Sequence, residues 1–155
     1  MIPIHSYGVS VFVLRPEGDS HAVLLLRRSG QGTLEGTWCQ VGGAVQPGEK
    51  AWQTALREIK EETGLIPSRL YSADVCEQFY DISQDRIEIV PVFVAFVDAG
   101  QEVRLNDEHT EYRWVSFREA AQLLPFAGQR SVLTLIRQEF IDSKPNEHLR
   151  IKLAP

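Results

Sequence analysis

The sequence predicts an α+β domain, an α/β/α sandwich in which one sheet lies between helices. Runs rich in β-branched and aromatic residues fill much of the first and middle thirds of the chain. Two segments with apolar residues at helical spacing flank these runs, one ending near Gly64 and the other near the C-terminus. Because a helix and a sheet each bury one apolar side against a second layer, this order predicts a layered fold.

The elements follow from residue type and spacing. Six segments have strand composition: residues 6–14, 21–26, 37–41, 70–80, 87–97 and 111–116. Polar or Gly-rich connections separate several of them, at residues 16–20, 29–36, 81–85 and 98–109. Pro91 lies inside a strand run, which predicts an edge position or a bulge there, because proline cannot donate to the sheet.

The C-terminal third is predicted to hold two helices. Residues 117–124 form the first, and the second has an apolar side made of Val132, Leu133, Leu135, Ile136 and Phe140. Residues from about 143 to 155 are predicted as a loose tail. Leu149, Ile151 and Leu153 alternate there, so an added edge strand is the alternative.

Composition limits the classes of function. The 155 residues are expected to form a single domain (1–155), with 43% hydrophobic and 24% charged residues, which are globular values. A net charge of −5 argues against stable binding to nucleic acid, which needs a basic surface. No apolar run has membrane-spanning length, and the two cysteines form no metal pattern. We therefore expect a cytoplasmic protein, as a monomer or homodimer, without a membrane partner.

Residues 43–65 are predicted to form a loop that leads into a helix. The dipeptides at 42–43 and 47–48 have loop chemistry, since glycine and proline supply unusual or fixed backbone angles. Glu49 is expected in the first helical turn, and Gly64 is expected just after the helix. One apolar stripe is expected to face the core: Trp52, Ala55, Leu56 and Ile59.

Three carboxylates occupy the neighbouring face of this helix. Glu58, Glu61 and Glu62 are three or four residues apart, or adjacent, so their side chains converge. Each such like-charge pair costs a helix about 0.2–0.5 kcal/mol, while oxygen ligands suit a hard cation such as Mg²⁺. On the helix alone, a solvated face softened by Arg57 and Lys60 is the alternative.

The whole stretch decides between these interpretations. Its defining positions are Gly43, Glu49, Arg57, Glu58, Ile59, Glu61, Glu62, Gly64 and Leu65. In residue type and spacing this stretch resembles the Nudix box at every defining position, and the chain is identified as a member of the Nudix hydrolase family. The resemblance implies the Nudix fold, in which a mixed central sheet lies between helices and the box helix lies across one side.

The resemblance also implies a Mg²⁺-dependent pyrophosphohydrolase. Water would attack the pyrophosphate linkage of a nucleoside triphosphate or a related nucleoside diphosphate derivative, a reaction that needs positioning and charge neutralisation. Glu58, Glu61 and Glu62 are the implied catalytic metal ligands, and Mn²⁺ should substitute for Mg²⁺ because both favour oxygen. Arg57 is implied to orient a neighbouring carboxylate through a fork of hydrogen bonds.

Further substrate contacts are expected around the box. Gly43 would allow close backbone approach. Arg27 and Arg28 end a strand in a region that often contacts phosphates in Nudix enzymes, although a solvated strand end is the alternative. Tyr80 and Phe126 are candidates to stack on a base, together with Phe79 and Tyr112, because aromatic faces stack on any base. Ordinary packing is the alternative for each.

One catalytic residue is expected outside the box. The segment Glu108–His109 with Tyr112, Arg113 and Trp114 resembles two Nudix branches. One hydrolyses dihydroneopterin triphosphate and (d)NTPs, and the other cleaves diadenosine tetraphosphate. In both, a glutamate at the position of Glu108 completes the metal site, and His109 is expected as a satisfied surface histidine.

Three functions therefore stay open. The first is a triphosphate pyrophosphohydrolase, and the second is a dinucleoside polyphosphate hydrolase. The third, a ligand-sensing Nudix module, is disfavoured because the box carboxylates are complete and no DNA-binding segment is apparent.

Overall fold

The computed structural model describes residues 1–30 and 34–154, so the middle of the loop predicted at 29–36 and the last residue of the predicted tail lie outside the described residues. The described ranges contain nine strands: β1 (Ile4–His5), β2 (Gly8–Glu17), β3 (Ser20–Arg28), β4 (Trp38–Cys39), β5 (Val41–Ala44), β6 (Arg69–Asp81), β7 (Arg86–Phe96), β8 (His109–Val115) and β9 (Arg150–Ile151). They also contain three α-helices: α1 (Ala51–Thr63), α2 (Phe117–Leu123) and α3 (Ala127–Ile136).

The strands form one mixed sheet. Its main order is β4-β3-β2-β7-β6-β9, while β1 pairs with β7, β5 with β2 and β8 with β3. The pairs β2–β7 and β1–β7 are parallel, and the others are antiparallel. The predicted α+β architecture with a mixed sheet between helices is confirmed.

Each face of the sheet carries its own core. Alternate residues of β2 point to opposite faces, so Val11 packs on the side of α1 and Phe12 packs on the side of α2 and α3. Ile59 of α1 is fully buried, as its predicted stripe required, and burial of such a side chain contributes about 1.5–3 kcal/mol. Trp52 and Leu56 of that stripe are only half-buried and lie at the edge of the same core.

The ends of α1 confirm one expectation and correct another. Gly64 has φ 72° and follows the helix, because glycine adopts this left-handed conformation without strain. The expectation that Glu49 lies in the first helical turn was wrong, since Lys50 is the N-cap and the helix starts at Ala51. Glu49 closes the preceding turn instead, where its N–H donates to the Gln46 carbonyl oxygen at 3.0 Å.

Pro91 lies in the central strand β7 rather than at an edge. β7 pairs with β1 at Ile87 and Glu88 and with β2 from Val92 onward, so the proline falls between the two ladders, where a missing N–H donor is tolerated. The irregularity that was predicted for the strand of Pro91 lies instead in its partner β6, whose register with β7 shifts between Ser72 and Cys76.

Other boundaries differ from the sequence-based expectation. The segment at 37–41 forms two short strands separated by Gln40, and β1 was not predicted. The segment from residue 143 includes a 3-10 turn and β9, in which Ile151 pairs with Leu70. This pairing corresponds to the edge strand that the alternating leucine and isoleucine residues allowed. Of the helices in residues 1–30 and 34–154, none is long and apolar enough to span a bilayer.

Candidate active site

Arg57 holds the loop and the helix together. Its Nε donates to Glu49 Oε1 at 2.6 Å and its Nη2 donates to Glu49 Oε2 at 3.0 Å, so the two groups form a fork. Nη2 also donates to the Ala44 carbonyl oxygen at 2.9 Å. Nη1 donates to Glu58 Oε1 at 2.6 Å and to Glu61 Oε2 at 3.2 Å. One guanidinium therefore contacts a carboxylate of the β5–α1 loop, two carboxylates of α1 and a carbonyl group at the end of β5.

Glu49 is held as a charged group. The hydrogen bond from Arg57 is the main cause that lowers the pKa of this carboxyl to about 2, and the Thr54 hydroxyl and the Gln46 N–H add to it. The same contacts raise the pKa of Arg57. Glu49 thus fixes the position of Arg57. Hydrogen bonds from Arg57, Thr54 and Gln46 use most of the lone pairs of the Glu49 carboxylate.

Strand β5 runs along α1 so that successive backbone groups meet successive side chains of the helix. The Gly42 N–H donates to Glu62 Oε2 at 3.3 Å, and Ala44 accepts from Arg57. Between them, a Cβ added at Gly43 would overlap the carboxyl group of Glu58. Gly43 therefore makes room for the Glu58 carboxylate, which is the close approach that its glycine character predicted.

The buried carboxyl group of Glu62 has few contacts that would stabilise its charged form. It is 3% exposed, and burial is the main cause that raises its pKa to about 9, with nearby Glu58 and Glu108 adding to the rise. Burial also raises the pKa of Glu58, although Arg57 opposes this. Without a cation, Glu62 therefore keeps its proton at neutral pH.

A loop across the cleft brings two more groups to Glu62. Ligand atoms of Glu62, Glu108 and His109 all lie within 4.8 Å of one another. Backbone contacts fix this loop, since the Ser29 N–H donates to the Glu108 carbonyl oxygen at 2.9 Å. The pairing of β3 with β8 places His109 opposite Arg28.

The expectation that His109 is a satisfied surface histidine was wrong. The side chain is 8% exposed, and its Nδ1 is a buried polar atom without a hydrogen-bond partner among the described residues. Its Nε2 lies 3.8 Å from the Cys39 Sγ. Burial and Arg28 lower the pKa of His109, so the ring is neutral at pH 7 and can offer a nitrogen lone pair.

A family model of the NUDIX domain matches residues 5–135. The bis(5'-nucleosyl)-tetraphosphatase [asymmetrical] of Sus scrofa is 33% identical over 84% of this chain and 90% of its own length. The chain belongs to the Nudix hydrolase family. It is therefore an enzyme of the Nudix pyrophosphohydrolase class, which acts on nucleotide derivatives.

Two further comparisons agree with this assignment. The nucleoside triphosphatase NudI of Escherichia fergusonii is 29% identical over 77% of this chain and 89% of its own length. A crystal structure of a Caenorhabditis elegans Ap4A hydrolase binary complex superposes with a TM-score of 0.73 at 25% identity, and covers 84% of this chain and 94% of that chain. The predicted Nudix fold is confirmed.

The two arginines at the end of β3 have different surroundings in this Nudix hydrolase. Arg28 lies near the Cys39 thiol and the His109 ring, where it lowers the pKa of both groups. Arg27 donates from Nε to the Gly36 carbonyl oxygen at 3.1 Å and belongs to the β3–β4 loop. The structure thus places Arg28, and not Arg27, beside His109, which meets Glu62 and Glu108.

The predicted base-stacking residues lie outside the acidic cluster. Tyr80 is half-exposed at the β6–β7 turn, where its hydroxyl donates to Asp85 Oδ1 at 2.6 Å. Phe126 is half-exposed immediately before α3.

A cavity of about 560 Å³ beside α2 is lined by residues such as His21 and Arg137 and by none of the predicted site residues.

Metal-free stability should depend on pH through Glu62. Its pKa is 4.5 in the reference state and about 9 in the folded protein, so the folded state holds one more proton between these values. The free energy of unfolding should therefore fall as pH rises from about 4.5 to about 9. We predict that the melting temperature of EDTA-treated protein falls over this range and that Glu62→Gln has a flatter profile.

Glu119→Gln in α2 is the matched control and should keep the parental profile. An undiminished slope in Glu62→Gln would contradict the assignment of the buried proton to this residue.

A second prediction follows from the space at Gly43. In Gly43→Ala the new Cβ would displace the Glu58 carboxylate from Arg57, and turnover should fall by at least about 10-fold, since small displacements of positioned groups can reduce rates by 10²-fold. Gly100→Ala is the control, because a Cβ added at Gly100 would have no described atom within 4 Å. Equal turnover of the two variants, measured with saturating divalent metal, would refute the steric role of Gly43.

Proposed function

We propose that this Nudix hydrolase is a Mg²⁺-dependent pyrophosphohydrolase that cleaves a nucleoside triphosphate or a related nucleoside diphosphate derivative by water attack. The observation that supports it best is the approach of Glu108 and His109 to the buried carboxyl group of Glu62. Glu58 and Glu61 lie on the same helix and share the Nη1 of Arg57. Such a cluster is costly for folding and is typical of a functional site.

The residues fit a divalent cation. Glu58, Glu61, Glu62 and Glu108 would hold it through oxygen atoms, which Mg²⁺ prefers. Arg57 can neutralise only part of this negative charge, because it is also paired with Glu49. A ring nitrogen of His109 also lies within 4.8 Å of the ligand atoms of Glu62 and Glu108. Mn²⁺ can substitute for Mg²⁺ because both favour the oxygen ligands of this site.

The cation, Arg28 and Glu108 would each have a separate role in the reaction. A bound divalent cation supplies charge neutralisation for the phosphate oxygens and lowers the pKa of water. Arg28 lies at the border of the cluster, where its guanidinium can bind a phosphate oxygen and position the chain of phosphates. Glu108 is exposed and reaches the cluster from the opposite loop, so its carboxylate can orient the attacking water and accept a proton.

A dinucleoside polyphosphate hydrolase is the second candidate. The Sus scrofa protein, 33% identical, is a bis(5'-nucleosyl)-tetraphosphatase, and the Escherichia fergusonii relative, 29% identical, is a nucleoside triphosphatase. Both activities use the same bond cleavage and the same proposed ligands. They differ in the groups beyond the phosphates, so substrate preference has to separate them.

Product analysis tests the proposal. The protein should be incubated with Mg²⁺ and a panel of (d)NTPs, dihydroneopterin triphosphate, dinucleoside tetraphosphates, nucleotide sugars and NADH. A triphosphate should give the monophosphate and pyrophosphate, with ¹⁸O from labelled water in only one product. Preferred cleavage of diadenosine tetraphosphate to ATP and AMP would favour the second candidate. Tight ligand binding without product from any compound would overturn both enzymatic assignments.

A mutant pair tests the role of Glu108. Glu108→Gln should lower kcat by at least about 10²-fold with a modest change in KM, because general-base catalysis contributes about 10²–10⁴-fold. Glu111→Gln is the matched control, since Glu111 lies in β8 and pairs with Arg113 at 3.4 Å. Its kcat should stay close to that of the parent. The reverse ranking in steady-state kinetics would show that the other glutamate acts in the reaction.

A further inference from the structure

His109 is the one group of the candidate site to which the proposed reaction gives no role. It is the first residue of β8, and its side chain is 8% exposed. Its Nδ1 is a fully buried polar atom that has no hydrogen-bond partner among the described residues. Because a buried polar atom without a partner costs free energy, its presence beside a candidate metal site needs an explanation.

A buried thiol fixes the orientation of the ring. The Cys39 Sγ donates to the Leu26 carbonyl oxygen at 3.5 Å and lies 3.8 Å from His109 Nε2. Since the thiol hydrogen is directed to Leu26, the sulfur can only accept from the histidine, so Nε2 carries the ring hydrogen. The neutral ring then has its lone pair on Nδ1, which is the atom without a partner.

Two carboxylates lie next to this ring. One ring nitrogen of His109 and one carboxylate oxygen each of Glu62 and Glu108 are all within 4.8 Å of one another. Three ligand atoms on one tetrahedral zinc ion would be about 3.4 Å apart, from metal–ligand distances of about 2.0–2.2 Å. The Glu108 side chain is exposed and can rotate, so small movements suffice to bring the three groups around one ion.

The chemical types of these three groups favour a particular class of cation. Imidazole is a good ligand for Zn²⁺, whereas Mg²⁺ prefers oxygen ligands and keeps several waters. One histidine, two carboxylates and a water form a four-coordinate set that suits zinc. Arg28 is the cross-strand partner of His109 and opposes a cation, but the two carboxylates outweigh its single positive charge.

We propose that Glu62, Glu108 and His109 form a second metal position, which takes Zn²⁺ or a cation of similar preference. It differs from an oxygen-only position for Mg²⁺ that also uses Glu58 and Glu61 of α1. Zinc would occupy both Glu62 and Glu108, so it would withdraw Glu108 from the attacking water and inhibit hydrolysis. The inhibition rests on the proposed function, whereas the binding of zinc does not.

Calorimetric titration of EDTA-treated and then desalted protein with each metal alone tests the binding. Zn²⁺ binds most mixed sites more tightly than Mg²⁺, so that order by itself decides nothing. His109→Gln should raise the Kd for Zn²⁺ by at least about 10-fold, because loss of even an outer-shell partner of a metal ligand costs about 10–100-fold. Its Kd for Mg²⁺ should stay close to that of the parent.

His21→Gln is the matched control, since His21 lies near the start of β3, at the opposite end of this strand from Arg28. It should keep the parental Kd for Zn²⁺. An equal Kd for Zn²⁺ in the parent and in His109→Gln, or an equal loss in both histidine variants, would overturn the inference. A matching loss of Mg²⁺ and Zn²⁺ affinity in His109→Gln would also overturn it, because it would indicate a general distortion of the acidic site.

Nuclear magnetic resonance on the parent protein tests the same position without a substitution, and decides the case if His109→Gln does not fold. One equivalent of Zn²⁺ should shift the ¹⁵N resonance of a ring nitrogen of His109, while the rings of His21 and His148 serve as internal controls. Unchanged His109 resonances in the presence of bound zinc would refute the proposed ligand set.

Inhibition separates this inference from the proposed reaction. With saturating Mg²⁺, added Zn²⁺ should lower kcat, and about 10-fold more zinc should be needed for the same effect in His109→Gln. Equal inhibition of parent and variant would overturn the inference while hydrolysis with Mg²⁺ still supported the proposed function. Zinc binding at His109 in a protein that cleaves none of the substrates would leave this metal position standing and overturn the proposed function.

Discussion

The ion pairs of Arg57 are the interaction on which the geometry of the acidic site depends. A helix alone would let its carboxylates repel one another and turn into solvent. Arg57 counteracts this by binding Glu49 through a fork and by contacting Glu58 and Glu61 with its remaining nitrogen. Because Glu49 belongs to the loop, the same contacts fix the strand–loop–helix angle that brings Gly42 and Gly43 against the helix.

The sheet separates two polar regions that differ in the charges around their buried carboxyl groups. On the α1 side, Glu58 and Glu62 are crowded with other acids, and burial raises the pKa of both carboxyl groups. On the α3 side, Glu77 is isolated, and burial raises its pKa with only the Ser10 hydroxyl opposing this. The first region holds several acids beside one arginine, whereas the second holds one acid that accepts from the neutral side chains of Ser10 and Gln40. Ser10, which donates to Glu77, and Gly42, which donates to Glu62, are cross-strand partners in β2 and β5.

These buried acids reduce the stability of the metal-free fold. Glu62 and Glu77 both interrupt surfaces that could have been apolar, and each carries a carboxyl group that water would solvate better. Two continuous cores, one on each face of the sheet, offset this loss. The net charge of −5 adds repulsion toward a polyphosphate. A cation between protein and substrate would offset this repulsion and the cost of burying the Glu62 carboxylate.

Local patterns in the sequence were enough to predict the fold class and the main features of residues 43–65. The box residues predicted the loop, the helix, its end at Gly64 and the convergence of three glutamates, because helical spacing alone places them on one face. Strand composition likewise predicted the α+β class. Residue spacing could not show that Glu49 lies before the helix, since that depends on the turn and on Arg57 reaching back to it.

Only the tertiary structure decided which distant groups meet. The pairing of β3 with β8 brings His109 and Glu108 to Glu62, and nothing in the local sequence distinguishes a buried histidine from a surface one. The hydrogen-bonded cluster of Ser10, Gln40, Glu77 and Gln129 joins residues up to 119 positions apart, counted from Ser10 to Gln129. Such contacts depend on strand order and register, which arise from packing of the whole chain and leave no periodic signal in any single segment.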